Sequence, residues 1–415
     1  MLVESALSEV KTRPQFALEQ RVHCSPEFQT LLAEPDPGPL VDEILNEFAS
    51  VIDAENIQKG TPDADNYYTS TRESWQFPLN EVDRRVVIDV HELYSRMLQN
   101  ERYLSMDQMI ADFNRYLLTH EWRQLRDKDG FDVVFVDEYH YFNRAESTSL
   151  HHIFKSGAAI DGKLPLFMAY DLKQGPDDVA ISHGTKNTLN FMATKAGKSE
   201  LVELTEVFRS TPEIAQFMSD LDGAFPSLDL EGEWKPYGAV SHNESGDRPL
   251  LMNYATDTAL IDAVFGLARN RASELKEGGR QVAVLCMNEH LFDRYREAGR
   301  IKDTFVPITA RDQMNELKYA KRRCVFSMPE YVAGLQFDTV YLIHVDEADL
   351  ADGNRGSGFQ RRYISRCYVG ASRASKRLLI ATSNERGGPS RILGGPIKGG
   401  SLDVDSINAA ATLPR

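Results

Sequence analysis

Short apolar runs that alternate with helix-patterned segments constrain the fold of this chain more than any other feature. They are rich in β-branched and other large apolar residues, and they comprise 131–136, 164–169, 281–287, 339–345 and 378–381. Such runs are typical of buried parallel strands, because helices cover both faces of a parallel sheet. The sequence therefore predicts an α/β fold built around parallel sheets.

Length and composition are those of a globular protein with more than one domain. The chain has 415 residues, of which 42% are hydrophobic and 26% charged, and this length allows two or three domains. No run of eighteen or more apolar residues predicts a membrane span, and the amino terminus lacks the pattern of a secretory signal. The four scattered cysteines predict neither a zinc site nor a disulfide framework, which favours a cytoplasmic location.

The charge distribution leaves two interpretations of nucleic-acid binding open. The net charge of −15 argues against a polyanionic partner, but residues 300–380 contain 14 Lys and Arg against 9 Asp and Glu. A locally basic face on an acidic protein can bind phosphates. An ordinary solvated surface is the simpler interpretation of charge alone.

Patterning divides the chain into four segments. Residues 1–100 carry apolar residues at three- and four-residue spacing, which predicts a helical region. Residues 101–205 and 206–385 contain the apolar runs and predict two α/β regions. Residues 386–415 are rich in Gly and Pro, which predicts a flexible tail.

Polar residues follow the first two apolar runs at the positions where α/β folds bind ligands. Asp137 and Glu138 follow the first run, where an Asp can hold Mg²⁺ and a Glu can polarise a water molecule. Gln174 follows the second run and could reach a terminal phosphate. Ordinary strand ends and turns are the alternatives, and a second Asp-Glu pair at Asp346 shows how common the pattern is.

Three further segments precede a helix or a strand. Arg209 stands just before the helical pattern TPEIAQFM, Gly334 and Gln336 precede the fourth apolar run, and Arg373 precedes the fifth. An Arg in such a place can bind an anion or reach across a cleft to a phosphate. Taken singly, each is better explained by a surface Arg, a plain turn or a helix end that leads into a strand.

The order of these segments resembles a helicase motif series. VDEYHY, YDLKQ, VFRS, AGLQFD and VGASRA resemble motifs II to VI of the UvrD/Rep/PcrA-like superfamily 1 DNA helicases, which read approximately VDEaQD, GDxxQ, NYRS, KGLEFD and VAxTRA. The resemblance covers roughly residues 41–385. It implies two RecA-like parallel-sheet domains of the P-loop NTPase fold, the first with a helical insertion over residues 1–100.

The resemblance also implies roles for individual residues. Asp137 would coordinate Mg²⁺, and Glu138 would activate the water that attacks ATP. Gln174 would sense the γ-phosphate. Arg209 and Arg373 would contact that phosphate from the second RecA-like domain and stabilise charge in the transition state.

The implied ligands are ATP, Mg²⁺ and DNA. Gly334 and Gln336 lie in the segment that resembles motif V, where the family contacts nucleotide. The implied partner is single-stranded DNA or a junction of single-stranded and double-stranded DNA. The basic segment would bind the phosphate backbone without reading sequence.

Several positions depart from the family pattern, and one motif is missing. His140 replaces Gln, Tyr170 replaces Gly, and Ala333 and Gln336 replace Lys and Glu. No GxxxxGK[ST] phosphate loop precedes Asp137; 157–164 (GAAIDGKL) lacks the Ser or Thr, and 192–199 (MATKAGKS) lacks the first Gly. We therefore expect an N-terminally incomplete first RecA-like domain and little or no ATP hydrolysis by this chain alone.

Three alternatives to an active helicase stay open at this point. The chain could be a non-catalytic DNA-binding or regulatory subunit on a helicase scaffold. It could be half of a split helicase that a protein partner completes with the phosphate loop. It could also be a gene remnant without a stable fold.

Overall fold

The structure is a computed structural model. It describes residues 2–73, 76–175, 202, 204–224, 240–276, 278–297, 305–310, 313, 323–350 and 356–405. These residues fall into two compact units: the first comprises 2–175 and 356–359, and the second comprises the remainder. Each unit has its own hydrophobic core.

The first hundred residues of the first unit are helical. Their helices are α1 (Leu2–Thr12), α2 (Pro26–Ala33), α3 (Gly38–Glu47), α4 (Pro62–Thr69) and α5 (Glu81–Asn100). Short side chains cap three of the helix starts, since Ser25, Thr61 and Asn80 each accept a backbone N–H of the first turn. Apolar residues of all five helices share one core.

An α/β region follows in the same unit. Its elements are α6 (Met106–Leu117), α7 (His120–Asp129), β1 (Val134–Val136), α8 (Arg144–Ser149) and β2 (Leu166–Met168). Strands β1 and β2 form a two-stranded parallel sheet in which Phe135 lies opposite Phe167. The first apolar run was expected to be buried on both faces, but Phe135 is 76% exposed. Within the described residues, only one face of this sheet is covered. On that face a small hydrophobic cluster contains the buried residues Val136, Tyr139 and Leu150.

The second unit is built on a seven-stranded sheet in which every pair of neighbours is parallel. Its strands are β5 (Leu250–Tyr254), β6 (Val282–Cys286), β7 (Phe305–Ile308), β8 (Cys324–Ser327), β9 (Phe337–Ile343), β10 (Ala374–Ser383) and β11 (Asp403–Val404), in the order β11-β5-β10-β9-β6-β8-β7. Every residue of the central strands β6 and β9 is buried. The prediction of an α/β fold with a parallel sheet is confirmed.

Helices cover both faces of this sheet, which explains the continuous apolar character of its central strands. They are α9 (Pro212–Asp222), α10 (Asp257–Glu274), α11 (Glu289–Glu297), α12 (Gly356–Ala371) and α13 (Gly394–Gly399). Separate hydrophobic clusters form on the two faces. Two short strands, β3 (Glu206–Val207) and β4 (Val240–Ser241), pair in parallel beside the main sheet.

Residues 386–405, expected as the start of a flexible tail, instead form ordered structure. Strand β11 extends the sheet beside β5, and Leu393 and Leu402 are buried in its core. The Gly and Pro content predicted flexibility, but burial of a few apolar side chains in the core stabilises this segment. Residues 406–415 lie outside the described residues.

None of the helices in the described part of the chain combines the length and the apolar character that a bilayer span requires.

Candidate functional site

The carboxyl end of β1 presents the two acidic residues predicted there. Asp137 is exposed, and its Oδ1 accepts the backbone N–H of Glu138 at 3.0 Å. Glu138 adopts a left-handed conformation with φ 51°, which costs an ordinary residue about 1 kcal/mol or more. Backbone strain of this kind occurs often at functional sites.

His140 connects the ends of β1 and β2. Its side chain is fully buried, and its Nδ1 accepts the backbone N–H of Asp171 at 3.2 Å. A neutral ring that accepts at Nδ1 carries its proton on Nε2, and this nitrogen lies 3.6 Å from Oε2 of Glu138. That distance exceeds a direct hydrogen bond, but it brings a donor close to the predicted catalytic carboxylate.

Asp171 organises the segment that follows β2. Its Oδ1 accepts the backbone N–H of Lys173 at 3.0 Å, and its Oδ2 accepts the side-chain amide of Gln174 at 2.9 Å. Glu138, His140, Asp171 and Gln174 thus form one polar cluster, which we call the strand-end cluster. It lies at the carboxyl ends of two parallel strands, where α/β folds bind ligands.

Arg209 and Gln336 meet in the second unit. Arg209 is exposed, and its carbonyl oxygen accepts the side-chain amide of Gln336 at 2.6 Å. Gly334 has φ +88° and an open space where a Cβ would lie, so this turn favours glycine for its backbone conformation and not for lack of room. The segments that resemble motifs IV and V are therefore in direct contact.

Arg373 lies inside the second unit, with only 1% of its surface exposed. Its guanidinium donates to the Ser372 hydroxyl at 2.7 Å, to the Val369 carbonyl oxygen at 3.1 Å and to the Leu335 carbonyl oxygen at 3.5 Å. These acceptors satisfy a planar donor group that burial would otherwise destabilise. Arg373 was expected to extend across a cleft. In the structure its side chain instead packs against the segment before β9.

The predicted residues therefore fall into two groups. Asp137, Glu138 and Gln174 belong to the first unit, at the carboxyl ends of β1 and β2. The other four, Arg209, Gly334, Gln336 and Arg373, belong to the second unit, and the last three lie beside the amino ends of β9 and β10.

One of the two incomplete phosphate-loop patterns can be assessed directly. Within residues 157–164, Ile160 and Lys163 exchange both backbone hydrogen bonds at 2.9 Å in a tight turn. The next element is strand β2, whereas a phosphate loop opens a helix. Lys163 is therefore not part of a phosphate loop. The second pattern, at 192–199, lies outside the described residues.

The fit to Mg²⁺ and ATP is partial. The exposed carboxylate of Asp137 is a suitable oxygen ligand for Mg²⁺. In the described part of the chain, no metal-binding group of three or more His, Cys, Asp or Glu side chains forms. A Mg²⁺ ion held through one carboxylate relies on phosphate oxygens and water for its remaining ligands.

The described basic residues of 300–380 contribute less exposed positive charge than their number suggests. Arg361 and Arg373 are buried. Lys376 is exposed but lies 3.5 Å from the carboxylate of Asp338. For the part of this segment that the structure describes, the number of Lys and Arg therefore overstates the exposed positive charge available to a nucleic-acid backbone.

A second polar network, at the carboxyl end of β9, was not predicted. Nδ1 of His344 lies in hydrogen-bond contact with Oδ2 of Asp346 at 2.8 Å, and its Nε2 with the Tyr295 hydroxyl at 2.9 Å. The backbone N–H of Ser383 donates to the other Asp346 oxygen. Burial raises the pKa of Asp346, and the hydrogen bond from His344 offsets part of that effect. The signal in the sequence was the second Asp-Glu pair, for which an ordinary strand end was the preferred interpretation.

Comparisons with known proteins add little to this description. No protein-family model and no curated protein matches the sequence. Among solved structures, the chain is similar to the C-terminal domain of a possible DNA helicase from Lactobacillus plantarum WCFS1, with 15% identity and a TM-score of 0.33. The match covers 48% of this chain and 98% of that one. A TM-score this low does not establish a shared fold, so a functional assignment rests on the residues described above.

Proposed function

We propose that this chain is the motor core of a UvrD-like superfamily 1 DNA helicase, which couples hydrolysis of Mg·ATP to movement along single-stranded DNA. The observation that carries the proposal is the strand-end cluster. Residues from two separate helicase-like segments, Glu138 and His140 from one and Asp171 and Gln174 from the other, meet at the carboxyl ends of parallel strands. A chance resemblance of short motifs would not require this contact.

The proposed roles follow from the chemistry of each group. Asp137 would hold Mg²⁺, which neutralises charge on the phosphates during transfer. Glu138 would polarise the attacking water from a left-handed turn that brings its carboxylate within 3.6 Å of the His140 ring. Asp171 would orient the amide of Gln174 toward a terminal phosphate.

In the second unit, Arg209 is an exposed cation that would contact a phosphate. Gln336 contacts its backbone and would hold the Arg209 segment in place. Arg373 would act on nucleotide only after leaving its present hydrogen bonds with Ser372 and Leu335. The motor therefore requires a change of conformation at Arg373 during its cycle.

We propose that residues 1–415 need a phosphate loop supplied in addition to them, by the same polypeptide or by a protein partner. The tight turn at Lys163 shows that the incomplete phosphate-loop pattern at 157–164 does not form a phosphate loop. Without a phosphate loop, a motor of this class loses the backbone N–H groups and the lysine that bind ATP phosphates. Rapid ATP turnover by the isolated chain would contradict this part of the proposal.

The first test measures ATPase activity and DNA binding of the purified chain. We expect background turnover with or without single-stranded DNA, together with DNA binding that weakens as salt concentration rises. After addition of a phosphate-loop segment, turnover should appear, and Glu138→Gln should reduce it about 100-fold or more. Glu19→Gln, at an exposed position in the helical region, is the matched control and should leave it unchanged. Absence of DNA binding at low salt would contradict a helicase.

A non-catalytic DNA-binding subunit is the second candidate. The buried and fully engaged position of Arg373 favours it, because a working motor needs that cation at the nucleotide. The same assay separates the two candidates. DNA binding that persists while no phosphate-loop segment elicits turnover would favour the non-catalytic subunit.

A further inference from the structure

The helical region meets the α/β region of the first unit at a cluster of titratable side chains. Asp53 directly follows the π-helical turn Phe48–Ile52, His91 lies on α5, and Asp107 and Glu146 lie in the first turns of α6 and α8. We call these four side chains the junction. Turns of the π-helical kind are rare and frequently occur at functional sites.

The π-helical turn brings Asp53 against His91. The Nε2 atom of His91 lies 2.8 Å from Oδ1 of Asp53, and the Phe48 ring contacts the imidazole edge to face at 4.7 Å. Both side chains are mostly buried, with exposed fractions of 18% for His91 and 19% for Asp53. A proton added to this imidazole converts the contact into an ion pair, which is stronger than a hydrogen bond to a neutral ring.

Helix α6 holds the start of α8 through side chains. Oδ1 of Asp107 accepts a hydrogen bond from Nδ2 of Asn143 at 3.2 Å, so its side-chain donor is a neutral amide. Asn143 caps α8, and its backbone N–H donates to Oε2 of Glu146 at 2.7 Å. The Asn114 side-chain amide of α6 also donates to the Ala145 carbonyl oxygen at 2.7 Å. The position of α8 therefore depends on the charge state of groups around Asp107.

Negative groups predominate around Asp107. The carboxyl groups of Asp53 and Glu146 face it, and His91 is the nearby side chain that can carry a positive charge. The Tyr94 hydroxyl on α5 also faces the carboxyl groups of Asp53 and Asp107. Burial, together with the two neighbouring carboxylates, raises the pKa of Asp107 to about 6, and burial also raises the pKa of Glu146.

One ion pair spans the rim of the same contact. Nη1 of Arg144 on α8 lies 2.7 Å from Oε1 of Glu55, two residues after Asp53, and both side chains are about half exposed. An exposed pair of this kind contributes little stability. It also adds no net charge to the junction.

We propose that the junction is a pH-sensitive latch, which holds the start of α8 against the helical region in acid and releases it at neutral pH. In acid, Asp107 is uncharged and a protonated His91 pairs with Asp53. At neutral pH, the charged Asp107 faces the carboxylates of Asp53 and Glu146, and a neutral His91 no longer offsets them. Like charges at short range repel, and burial strengthens the repulsion.

The latch lies close to the strand-end cluster along the chain, because Asn143 follows His140 by three positions. Release of α8 frees the short segment between these two residues. The closed junction binds the Asp107 proton more tightly than the open junction does, so closure weakens as pH rises from about 4 to about 6.

Amide hydrogen exchange of the full chain, followed by mass spectrometry at pH 5 and pH 8, tests the latch. After division by the intrinsic exchange rate at each pH, the protection of residues 143–149 should fall about five- to tenfold from pH 5 to pH 8. Amides of α2, in the same unit, should keep their protection.

Three variants separate the charge of the junction from its packing. Asp107→Asn keeps an oxygen for Asn143 but cannot ionise, so protection of 143–149 at pH 8 should rise to the value at pH 5. Asp112→Asn, at an exposed position of the same helix, is the matched control and should retain the full pH dependence. His91→Gln keeps a donor for Asp53 without a charge, so it should lower protection at pH 5 and leave it unchanged at pH 8.

Equal protection of residues 143–149 at pH 5 and pH 8 would overturn the latch, as would a pH dependence that persists in Asp107→Asn. A parallel loss of protection in α2 would contradict it as well, because the whole unit would then be opening. These outcomes are independent of the motor proposal, since the experiment contains neither ATP nor DNA.

Discussion

Individual carboxyl groups in the first unit differ sharply in their surroundings. Asp107 lies in the first turn of α6, where Asn143 donates to its Oδ1 at 3.2 Å. Burial, together with the nearby carboxylates of Asp53 and Glu146, raises the pKa of Asp107 to about 6. The folded chain therefore binds a proton here more tightly than the unfolded chain does. Stability falls as pH rises from about 4 to about 6, and the loss persists above that range.

Replacement of Asp107 by Asn should remove this loss of stability at high pH. The amide is neutral, and its oxygen can still accept the hydrogen bond from Asn143. We expect Asp107→Asn to raise the free energy of unfolding by about 1 kcal/mol at pH 8, after allowance for solvent screening of a partly exposed group. The gain should fade as pH falls toward 4. Urea unfolding at pH 8 and pH 4.5 measures both values, and Asp112→Asn, at an exposed position of the same helix, is the control. An equal gain at both pH values would refute the assignment of the penalty to Asp107.

The left-handed backbone conformation of Glu138 lowers the free energy of unfolding of the first unit. Its φ of 51° costs about 1–2 kcal/mol, and Gly would relieve this while losing about 0.4–1 kcal/mol through the unfolded state. We expect Glu138→Gly to stabilise the first unit by about 0.5 kcal/mol and to abolish any ATP turnover. Thermal unfolding together with the reconstituted ATPase assay measures both effects. Glu138→Gln is the control, since it keeps the strain and should lose turnover without a gain in stability.

At the scale of elements, the apolar runs were sufficient to locate five of the strands. The run at 281–287 contains β6, and the run at 339–345 overlaps β9, because every residue of these central strands is buried. Strands β7 and β8, of four residues each, were not predicted, since short apolar stretches look alike in helices and strands. The exposed face of β1 could not be predicted either. A run of apolar residues has the same pattern whether or not other elements pack on both faces of the strand.

The contact between α12 and β9 supports a prediction about packing. A Cβ on Gly370 would lie 2.7 Å from Cδ1 of Leu342, so the helix approaches the sheet too closely for a side chain. Gly370→Ala should therefore destabilise the second unit by about 1–3 kcal/mol. Gly266→Ala in α10, where nothing lies within 4 Å of the added Cβ, should instead stabilise it by up to about 1 kcal/mol. Thermal unfolding of the two variants should shift in opposite directions, and a parallel shift would contradict this account.

At the scale of the whole molecule, motif order implied one nucleotide site formed by Asp137, Glu138 and Gln174 together with Arg209 and Arg373. The contacts of the structure lie within each unit, where Gln174 donates to Asp171 and Gln336 donates to the Arg209 carbonyl oxygen. The roles of these residues stay predictions. Sequence could not reveal that Arg373 is buried, because the acceptors that hold it include a carbonyl oxygen 38 residues away.

The network of Tyr295, His344 and Asp346 was missed for a related reason. Tyr295 and His344 lie 49 positions apart in the sequence, and only the folded sheet brings the end of β9 next to α11. The Asp-Glu pattern indicated the position of Asp346 at the end of a strand, but it did not indicate which residues would hydrogen-bond to it. Patterns of spacing along a chain identify positions, whereas buried hydrogen bonds depend on three-dimensional packing.

The exposed, stacked rings of Phe135 and Phe167 have a consequence for the newly synthesised chain. Large apolar side chains at a protein surface promote binding by chaperones and self-association.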